Sequence, residues 1–331
     1  MTDRARALHR SRFELAVRPP FELEVALFGH GWIDLAPNRW SAGEQRFSTV
    51  LQTGVHDAGV LWAGDRAAVD VSVEPRRGRL AVQVESGRPV GSSARAQVRS
   101  SLRRMLRLDH DFTSFWRRCA STPGLSWVAR RGAGRLLAGA SLFEDLLKLL
   151  FTTNCSWAAT RLMTQRLVDA LGPTAPSGRA AFPDAATCAR PPERFWRDVV
   201  RAGYRARAAR ELSRRFAGGD LADDWFIDPA LSTEELRRRL LDLSGFGPYA
   251  AGQAMRLLGR HEDLALDSWC RAKLRHLLPS RRPLSDRAID RRYARHGADR
   301  GLVLWMELTA DWHGEAAARE RDRLFPLRAG C

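Results

Sequence analysis

The sequence predicts an α+β fold that is mostly α, with an N-terminal antiparallel β lobe followed by an all-helical body. At 331 residues the chain is long enough to bury a sizeable core and to hold two or three lobes. Apolar residues alternate within residues 19–96, as they do on half-buried strands, and from about residue 97 they recur at helical intervals. We therefore divide the chain into a basic tail over 1–18, a sheet lobe over 19–96 and a helical domain over 97–331.

Three alternating stretches predict the strands of the lobe. A half-buried antiparallel strand places an apolar side chain at every second position. A turn at Arg77 and Gly78 joins the last two stretches. The first 18 residues are rich in arginine but have no hydrophobic signal region, so we expect a mobile basic tail there. The alternating sets are Phe21, Leu23, Val25 and Leu27; Val69, Val71 and Val73; and Leu80, Val82 and Val84.

Helical spacing of apolar residues predicts the body. One helix is indicated by Leu102, Met105 and Leu106, and another runs from Leu142 to Leu150. The second helix is preceded by Ser141, with Glu144 three residues further on, which is the spacing of a capping box. Residues 173–192, rich in alanine and proline, are the best candidate for a loop.

A helical hairpin is predicted over residues 236–258. Ser232 and Glu235 have capping-box spacing, and Leu236, Leu240 and Leu243 then follow at helical intervals, so a helix should run towards Gly245. Pro248 suits the first turn of the next helix.

Between the two helices lies the sequence Gly245-Phe246-Gly247. Two glycines permit positive φ angles and leave backbone N–H groups free at the start of the second helix. Free N–H groups at a helix N-terminus bind phosphate. We therefore predict that Gly245, Phe246 and Gly247 contact DNA.

The hairpin and the Asp267 that follows it resemble the HhH-GPD superfamily of DNA glycosylases. Those proteins have an L-P-G-h-G hairpin followed, at this distance, by the catalytic aspartate, and Ser244 replaces the usual proline. The resemblance covers roughly residues 19–312 and lies within the 3-methyladenine and 8-oxoguanine glycosylase branches. Its other parts are residues 141–172, Gly203-Tyr204-Arg205-Ala206 and the late segment GLVLWMEL.

The resemblance implies that Asp267 is the catalytic acid. A glycosylase extrudes the damaged nucleotide from the duplex, and cleavage of the glycosidic bond builds positive charge on the sugar. A carboxylate beside the sugar stabilises that charge and can orient or deprotonate the attacking water. The alternative interpretation is that Asp267 caps the helix beginning at Ser268. Both roles can hold together.

The residue after Gly247-Pro248 distinguishes two mechanisms within the resembled superfamily. In the bifunctional 8-oxoguanine branch a lysine at this position attacks the sugar and forms a Schiff base. This chain has Tyr249 there, and its only lysines, Lys148 and Lys273, do not occupy the position. The sequence therefore favours a monofunctional enzyme that uses water, as in the 3-methyladenine branch.

Tyr249, Trp305 and Trp269 are the candidate residues of the base pocket. Trp305 aligns with the aromatic residue on which the flipped base stacks in the resembled 8-oxoguanine branch. An electron-rich wall would favour a cationic alkylated purine by about 0.5–2 kcal/mol per contact. The alternative for each tryptophan is a place in the core. Gly301 falls where the 8-oxoguanine enzymes have a base-reading glutamine, which weakens an oxoguanine assignment.

Two further residues are candidate DNA contacts. Asn154 matches the asparagine that fills the gap left by the extruded base in the oxoguanine branch, and a buried amide that caps a neighbouring helix is the alternative. Arg205 could face phosphates together with Arg207, Arg210 and Arg214. The alternative for this stripe is a solvated helix face.

Composition agrees with a nucleic-acid partner. The formal net charge is +16, which favours a polyanion because each neutralised phosphate releases counterions. The excess of arginine over lysine also has a second explanation, which is codon usage in a GC-rich genome.

No metal or cofactor is expected, apart from a monovalent cation that the hairpin could hold. The cysteine loop that carries an iron–sulfur cluster in some members of the resembled superfamily has no counterpart, and no histidine has a second ligand at metal-binding spacing. The five scattered cysteines favour reduced thiols in a cytoplasmic, nucleoid-associated protein of bacterial type. No apolar run approaches the roughly 20 residues that span a bilayer, and we expect a monomer.

Together these observations favour a monofunctional DNA N-glycosylase of base excision repair that releases a damaged, alkylated purine from double-stranded DNA. One alternative is an oxidised-purine glycosylase of 8-oxoguanine type, with or without AP lyase activity. Another is a non-catalytic helix-hairpin-helix DNA-binding protein. Asp267 argues against the second alternative, because binding alone has no use for an acid beside a polyanion.

Overall fold

The protein has the predicted α+β architecture, with an N-terminal antiparallel sheet followed by a helical body. The computed structural model describes residues 8–54, 67–278 and 284–322. In chain order, the lobe contains β1 (His9–Ala16), α1 (Leu23–Leu27), β2 (Arg39–Ser41), β3 (Arg46–Thr53), β4 (Ala67–Arg76) and β5 (Arg79–Ser86). Across the sheet the strand order is β1-β5-β4-β3-β2, and all neighbouring strands are antiparallel.

The central hairpin of the sheet confirms two of the predicted alternations. The apolar residues of β4 and β5 are buried, and they pair across the strands, with Val71 opposite Val84 and Val73 opposite Val82. Gly78 has a φ of +71°, which suits the tight turn between the strands. The period of two in the sequence therefore reports the buried face of this hairpin correctly.

Two predictions for the lobe are wrong. Residues 9–16 are not part of a mobile tail, because β1 pairs with β5 along its whole length, from His9 opposite Ser86 to Ala16 opposite Arg79. The alternation over 21–27 does not mark a strand, since residues 23–27 form the short helix α1. Ala26, which a half-buried strand would expose, is buried in this helix beside Leu27.

The helical body follows the sheet. The helices α5 and α11 begin with serine N-caps at the predicted positions, and in α5 the Ser141 hydroxyl accepts the Glu144 amide at 3.2 Å. The predicted loop over 173–192 contains one short helix, α7. The helices are α2 (Ser92–Met105), α3 (Thr113–Ala120), α4 (Ser126–Arg131), α5 (Leu142–Thr152), α6 (Trp157–Leu171), α7 (Ala185–Ala189), α8 (Glu193–Asp198), α9 (Ala206–Gly218), α10 (Asp224–Ile227), α11 (Thr233–Leu241), α12 (Pro248–Leu257), α13 (Ser268–Leu277), α14 (Asp286–Ala294), α15 (Arg300–Thr309) and α16 (Glu315–Asp322).

A buried carboxylate joins the lobe to the body. Asp145 on α5 accepts hydrogen bonds from the Trp32 indole at 2.7 Å, the Gly139 amide at 2.6 Å and the Arg104 guanidinium at 2.7 Å. Burial alone would raise the pKa of Asp145, but Arg104 and these hydrogen bonds hold it below its ordinary value. Because Trp32 belongs to the lobe and Asp145 to the body, the two parts share one continuous core.

Buried neutral histidines make stability sensitive to mild acid. Burial lowers the pKa of His30 to about 3 and that of His313 to about 4, so both are neutral in the folded protein at pH 6. In the unfolded chain a histidine ionises near pH 6.5, so unfolding takes up protons increasingly as the pH falls below that value. We expect the free energy of unfolding to decrease by about 1 kcal/mol per histidine between pH 6.5 and 5.5.

Urea unfolding at the two pH values measures this loss. The variant His313→Gln should lose about half of the pH-dependent change in the free energy of unfolding that the two histidines cause together. A free energy of unfolding that is unchanged across this interval would contradict the buried, neutral assignment.

Candidate active site

The hairpin joins α11 to α12 through a turn with one residue, Gly245, in the left-handed region. The Ser232 hydroxyl accepts the Glu235 amide at 3.1 Å at the start of α11, as predicted. Gly245 has a φ of +82°, and a Cβ atom there would lie 2.6 Å from the Leu150 side chain. Gly247 has an extended backbone, with a φ of −103°, so only Gly245 requires the left-handed region.

The start of α12 leaves backbone amides without partners in the helix. Gly247 is the N-cap and Pro248 the first residue, so helix geometry provides no acceptor for the amides of Tyr249 and Ala250. Phe246 was predicted to contact DNA, but its side chain is buried and its amide donates to the Leu243 carbonyl at 3.0 Å. Phe246 therefore anchors the turn in the core, and only the adjacent amides can face an anion.

Ser244, which precedes Gly245, has a structural role. Its hydroxyl donates to the Glu211 carboxylate on α9 at 2.8 Å. This hydrogen bond ties the hairpin turn to a neighbouring helix, and it offers a restraint in place of the rigid ring of proline.

Asp267 is the N-cap of α13. Its Oδ1 atom accepts the Cys270 amide at 2.6 Å, which confirms the capping interpretation. A carboxylate has about four acceptor positions, so this bond does not exhaust its capacity. Burial and the negative charge of Asp267 raise the pKa of the Cys270 thiol to about 12, and the thiol is therefore protonated and unreactive.

Tyr249 lies beside Asp267 and the end of α5. Burial and the charge of Asp267 raise the pKa of its hydroxyl to about 12, although a hydrogen bond with the Thr152 side chain opposes the shift. The hydroxyl is therefore protonated and can donate a hydrogen bond, but it cannot serve as a base near pH 7. The structure thus brings together two of the predicted site residues from α12 and α13.

Trp305 forms the centre of an aromatic cluster. It is 7% exposed, and its indole N–H donates to the Gly29 carbonyl at 2.8 Å. The ring centroids of Trp269 and Trp312 lie 5.8 and 5.7 Å from that of Trp305, and both of these side chains are exposed to more than a third. Trp305 is thus a core residue covered by two rings that reach solvent. Sequence analysis missed Trp312, although it lies two helical turns beyond Trp305.

Arg256 on α12 was also missed by sequence analysis. Its guanidinium lies 4.7 Å from the centroid of the Trp305 ring and is 1% exposed. It donates to the Gln253 side chain and to the Leu264 carbonyl, each at 2.9 Å. A cation therefore already faces the aromatic surface that was expected to attract a cationic base. An arginine within a helix gives no indication in the sequence that its side chain packs against a distant tryptophan.

Asn154 lies on the surface at the end of α5. It is exposed, has a φ of +45°, and its amide donates to the hydroxyl of Tyr204 at 3.3 Å. The alternative of a buried capping amide is wrong, because Ser156 caps the next helix, α6. Tyr204 is 65% exposed and stands beside Asn154. The sequence suggested it only as part of the GYRA segment.

The prediction that Arg205 faces phosphates is wrong. Its side chain is buried, and its guanidinium donates to the Thr153 hydroxyl at 3.1 Å and to the Thr153 carbonyl. Because these acceptors satisfy it, Arg205 supports the turn that carries Asn154 and packs under the Tyr204 ring. Arg207 and Arg214 are the exposed members of the stripe.

Gly301 lies against backbone and leaves no space for a side chain. A Cβ atom there would stand 2.0 Å from the Asp263 carbonyl oxygen, and the Gly301 amide donates to the His261 carbonyl at 2.8 Å. Glycine at this position is therefore required by the close approach of α15 to residues 261–263. A base-reading glutamine cannot occupy it with this backbone.

Within the described residues, no cluster of three or more potential ligands could hold a metal ion, and no helix is long and apolar enough to cross a membrane. Cys119, Cys155, Cys188 and Cys270 are free thiols, and Cys331 lies outside the described residues. Two cavities of about 430 and 440 Å³ lie near α2, and neither is lined by a predicted site residue. The candidate site is therefore the aromatic and hairpin region around Asp267, at which the tryptophan rings are packed together.

Neither a protein-family model nor a curated protein sequence matches this chain. Solved structures do match its fold. The 3-methyladenine DNA glycosylase of Archaeoglobus fulgidus is 15% identical, with a TM-score of 0.64 over 91% of this chain and 99% of that one. The 8-oxoguanine glycosylase/lyase of Clostridium acetobutylicum is 14% identical; its apo form has a TM-score of 0.57 over 83% of this chain and 99% of that one.

The same Clostridium protein in complex with double-stranded DNA that contains cytosine opposite 8-oxoguanine gives a TM-score of 0.59, over 87% of this chain and 93% of that one. The chain thus shares the fold of these DNA glycosylase structures. At these identities the likeness establishes the fold alone.

Proposed function

We propose that this protein is a monofunctional DNA N-glycosylase of base excision repair, which flips a damaged, alkylated purine out of double-stranded DNA and releases it by hydrolysis. The single observation that carries the proposal is the position of Asp267. It caps the start of α13 beside Tyr249, the second residue of the hairpin's second helix. The fold shared with DNA glycosylase structures supports the same class of enzyme.

In the proposed reaction Asp267 acts on the sugar and on water. As the bond between C1′ and the base nitrogen breaks, its electron pair leaves with the base and positive charge develops on the sugar. The carboxylate stabilises that charge, orients the water, and accepts one of its protons as the water oxygen forms the new bond to C1′. The helix cap supports this role, because the Cys270 amide holds one carboxylate oxygen at a defined position.

The proposed contacts to DNA come from two adjacent parts of the surface. The amides at the start of α12 would bind a phosphate, with Gly245 allowing the turn and Gly247 leaving room for the backbone of the strand. Asn154 and the exposed Tyr204 would fill the gap left by the extruded nucleotide. Trp269 and Trp312 would have to move aside for a base to stack on Trp305.

The proposal also covers the cofactor, the oligomeric state and the location of the protein. A monovalent cation at the hairpin is compatible with the residues there, because the Leu243 carbonyl keeps a second lone pair beside its bond to Phe246. No other cofactor is proposed. A monomeric state and a cytoplasmic, nucleoid-associated location stay predictions.

Incubation of the protein with genomic DNA carrying alkylation or oxidation damage, followed by mass spectrometry of the released bases, tests the proposal. We expect alkylated purines among the released bases. Release of 8-oxoguanine alone would favour the oxidised-purine alternative, which the shared fold with the Clostridium structure supports and Tyr249 opposes. Tight duplex binding without release of any base would favour the non-catalytic alternative.

We further predict that borohydride will not trap the protein on damaged DNA. Trapping requires an uncharged amine that attacks C1′. Lys148 is fully buried in an ion pair with Glu144, and Lys273 pairs with Asp311 at 2.6 Å, so a carboxylate already engages each amine. Efficient cross-linking of the wild-type protein would contradict the monofunctional assignment. The variant Tyr249→Lys tests whether an amine at the hairpin position makes cross-linking possible.

A further inference from the structure

We propose that the base pocket of this protein selects electrically neutral damaged bases and that Arg256 is the residue that determines this selection. This inference rests on the proposed glycosylase function and narrows its substrate class. It would exclude purines that carry a positive charge after alkylation. It would admit alkyl adducts that leave the ring uncharged, such as 1,N6-ethenoadenine.

Among the described residues, Arg256 forms no ion pair with a carboxylate. Its two hydrogen-bond acceptors, the Gln253 amide oxygen and the Leu264 carbonyl, are both neutral. Its Nε–H group is buried and has no partner among the described residues. A fully buried guanidinium without an ion-paired carboxylate keeps its positive field, which low polarity around it strengthens.

The positive charge of Arg256 lies beside Trp305, the ring on which the base would stack. The guanidinium lies 4.7 Å from the centroid of Trp305, so the negative face of the indole already interacts with one cation. A second cation stacked on the same ring would gain less from the ring and would be repelled by Arg256. A neutral base keeps its stacking energy, which depends on contact area and dispersion rather than on net charge.

A second group close to Trp305 is a neutral histidine, which adds no charge of its own. The His30 ring centroid lies 5.9 Å from that of Trp305. Burial lowers the pKa of His30 to about 3; the charge of Asp145 opposes this shift, whereas Arg256, Arg107 and Lys148 add to it. The charges of two carboxylates oppose that of Arg256: Asp263, which is ion-paired with Arg237, and Asp267, whose Oδ1 atom accepts the Cys270 amide.

The chemistry of bond cleavage favours the same substrates. When the C1′–N bond of a cationic base breaks, the electron pair neutralises the base. When the bond of a neutral base breaks, the base acquires negative charge until it takes up a proton from solvent. A fixed positive charge near the base lowers the energy of the second process and raises that of the first.

Binding of two matched duplexes tests the proposal without relying on hydrolysis. One duplex carries 1,N6-ethenoadenine and the other 1-methyladenine, which is a cation at pH 7, each on a 2′-fluoro sugar that resists cleavage. We expect the wild-type protein to bind the neutral lesion about 10-fold more tightly, each affinity being measured relative to an unmodified duplex. Equal affinity or preference for the cation would overturn the proposal.

Substitutions of Arg256 test whether this residue causes the preference for the neutral lesion. Arg256→Met removes the charge from a side chain of similar length and should abolish or reverse the preference, whereas Arg256→Lys should retain it. Arg135→Met is the matched control, because Arg135 is also buried against aromatic rings but lies outside the site. It should keep the preference.

Thermal unfolding shows whether each variant is folded. If Arg256→Met does not fold, the wild-type affinities still decide the selection, and Gln253→Leu provides a second variant that displaces the guanidinium. An unchanged preference in a folded Arg256→Met protein would remove Arg256 from the explanation. If the neutral lesion is preferred in binding but neither base is released from ordinary deoxyribose, the selection holds and the proposed catalysis fails.

Discussion

Replacement of Asp267 by asparagine is expected to reduce base release by at least ~100-fold, equivalent to about 2.7 kcal/mol of transition-state stabilisation. In the proposed mechanism the carboxylate balances the positive charge of the sugar, and a neutral amide cannot. Asparagine caps helices as well as aspartate does, so α13 should begin at the same residue and duplex affinity should be retained. Single-turnover release and a filter-binding assay measure the two quantities.

The same substitution at another helix cap provides the control. Asp184 caps α7 by accepting the Thr187 amide at 2.7 Å, and Asp184→Asn should leave base release unchanged. Asp267→Ala should lose release to a similar extent and, in addition, destabilise the protein by about 1 kcal/mol through loss of the cap. Base release by Asp267→Asn at the wild-type rate would show that Asp267 is only a structural cap.

Replacement of Gly301 by alanine is expected to lower the free energy of unfolding by about 3 kcal/mol. The added Cβ atom would stand 2.0 Å from the Asp263 carbonyl oxygen and 2.7 Å from that of His261. Both obstacles are backbone, so relief requires α15 to move away from residues 261–263. Because Trp305 lies on α15, that movement would also disturb the aromatic cluster.

Gly218→Ala is the matched control for this prediction. Gly218 also lies in a helix, but an added Cβ atom would meet only the Asp220 side chain at 3.9 Å. Alanine there should be neutral or slightly stabilising, because it has a higher helix propensity than glycine. Urea unfolding of both variants compares them. Equal stabilities of the two variants would contradict the tight approach at Gly301. For the same reason, Gly301→Gln should unfold the protein and should not create a side chain that recognises 8-oxoguanine.

The features that sequence analysis predicted correctly depend on short stretches of chain. The caps at Ser141 and Ser232 were evident because a capping hydroxyl and the amide that donates to it lie three residues apart. The left-handed turn at Gly245 and the cap at Asp267 are similarly local. The hairpin β4–β5 was predicted because its strands are joined by a two-residue turn.

The predictions that failed involved partners distant in the chain. The strand β1 pairs with β5, about 70 positions later, so its own arginine-rich sequence carries no sign of the pairing. Over residues 21–27 an alternation of only four apolar residues fits a short helix as well as a strand, and burial of Ala26 decided for the helix.

The site divides in the same way. By itself, the sequence determined the hairpin, the capping acid that follows it and the absence of lysine at the hairpin position, because each depends on residue identity and spacing within a few turns of helix. Only the tertiary structure decided that Arg205 is buried, that Arg256 lies against Trp305 and that Gly301 contacts backbone. The physical reason is that burial and charge compensation depend on segments brought together from across the chain, whereas capping and turns depend on neighbours within about four residues.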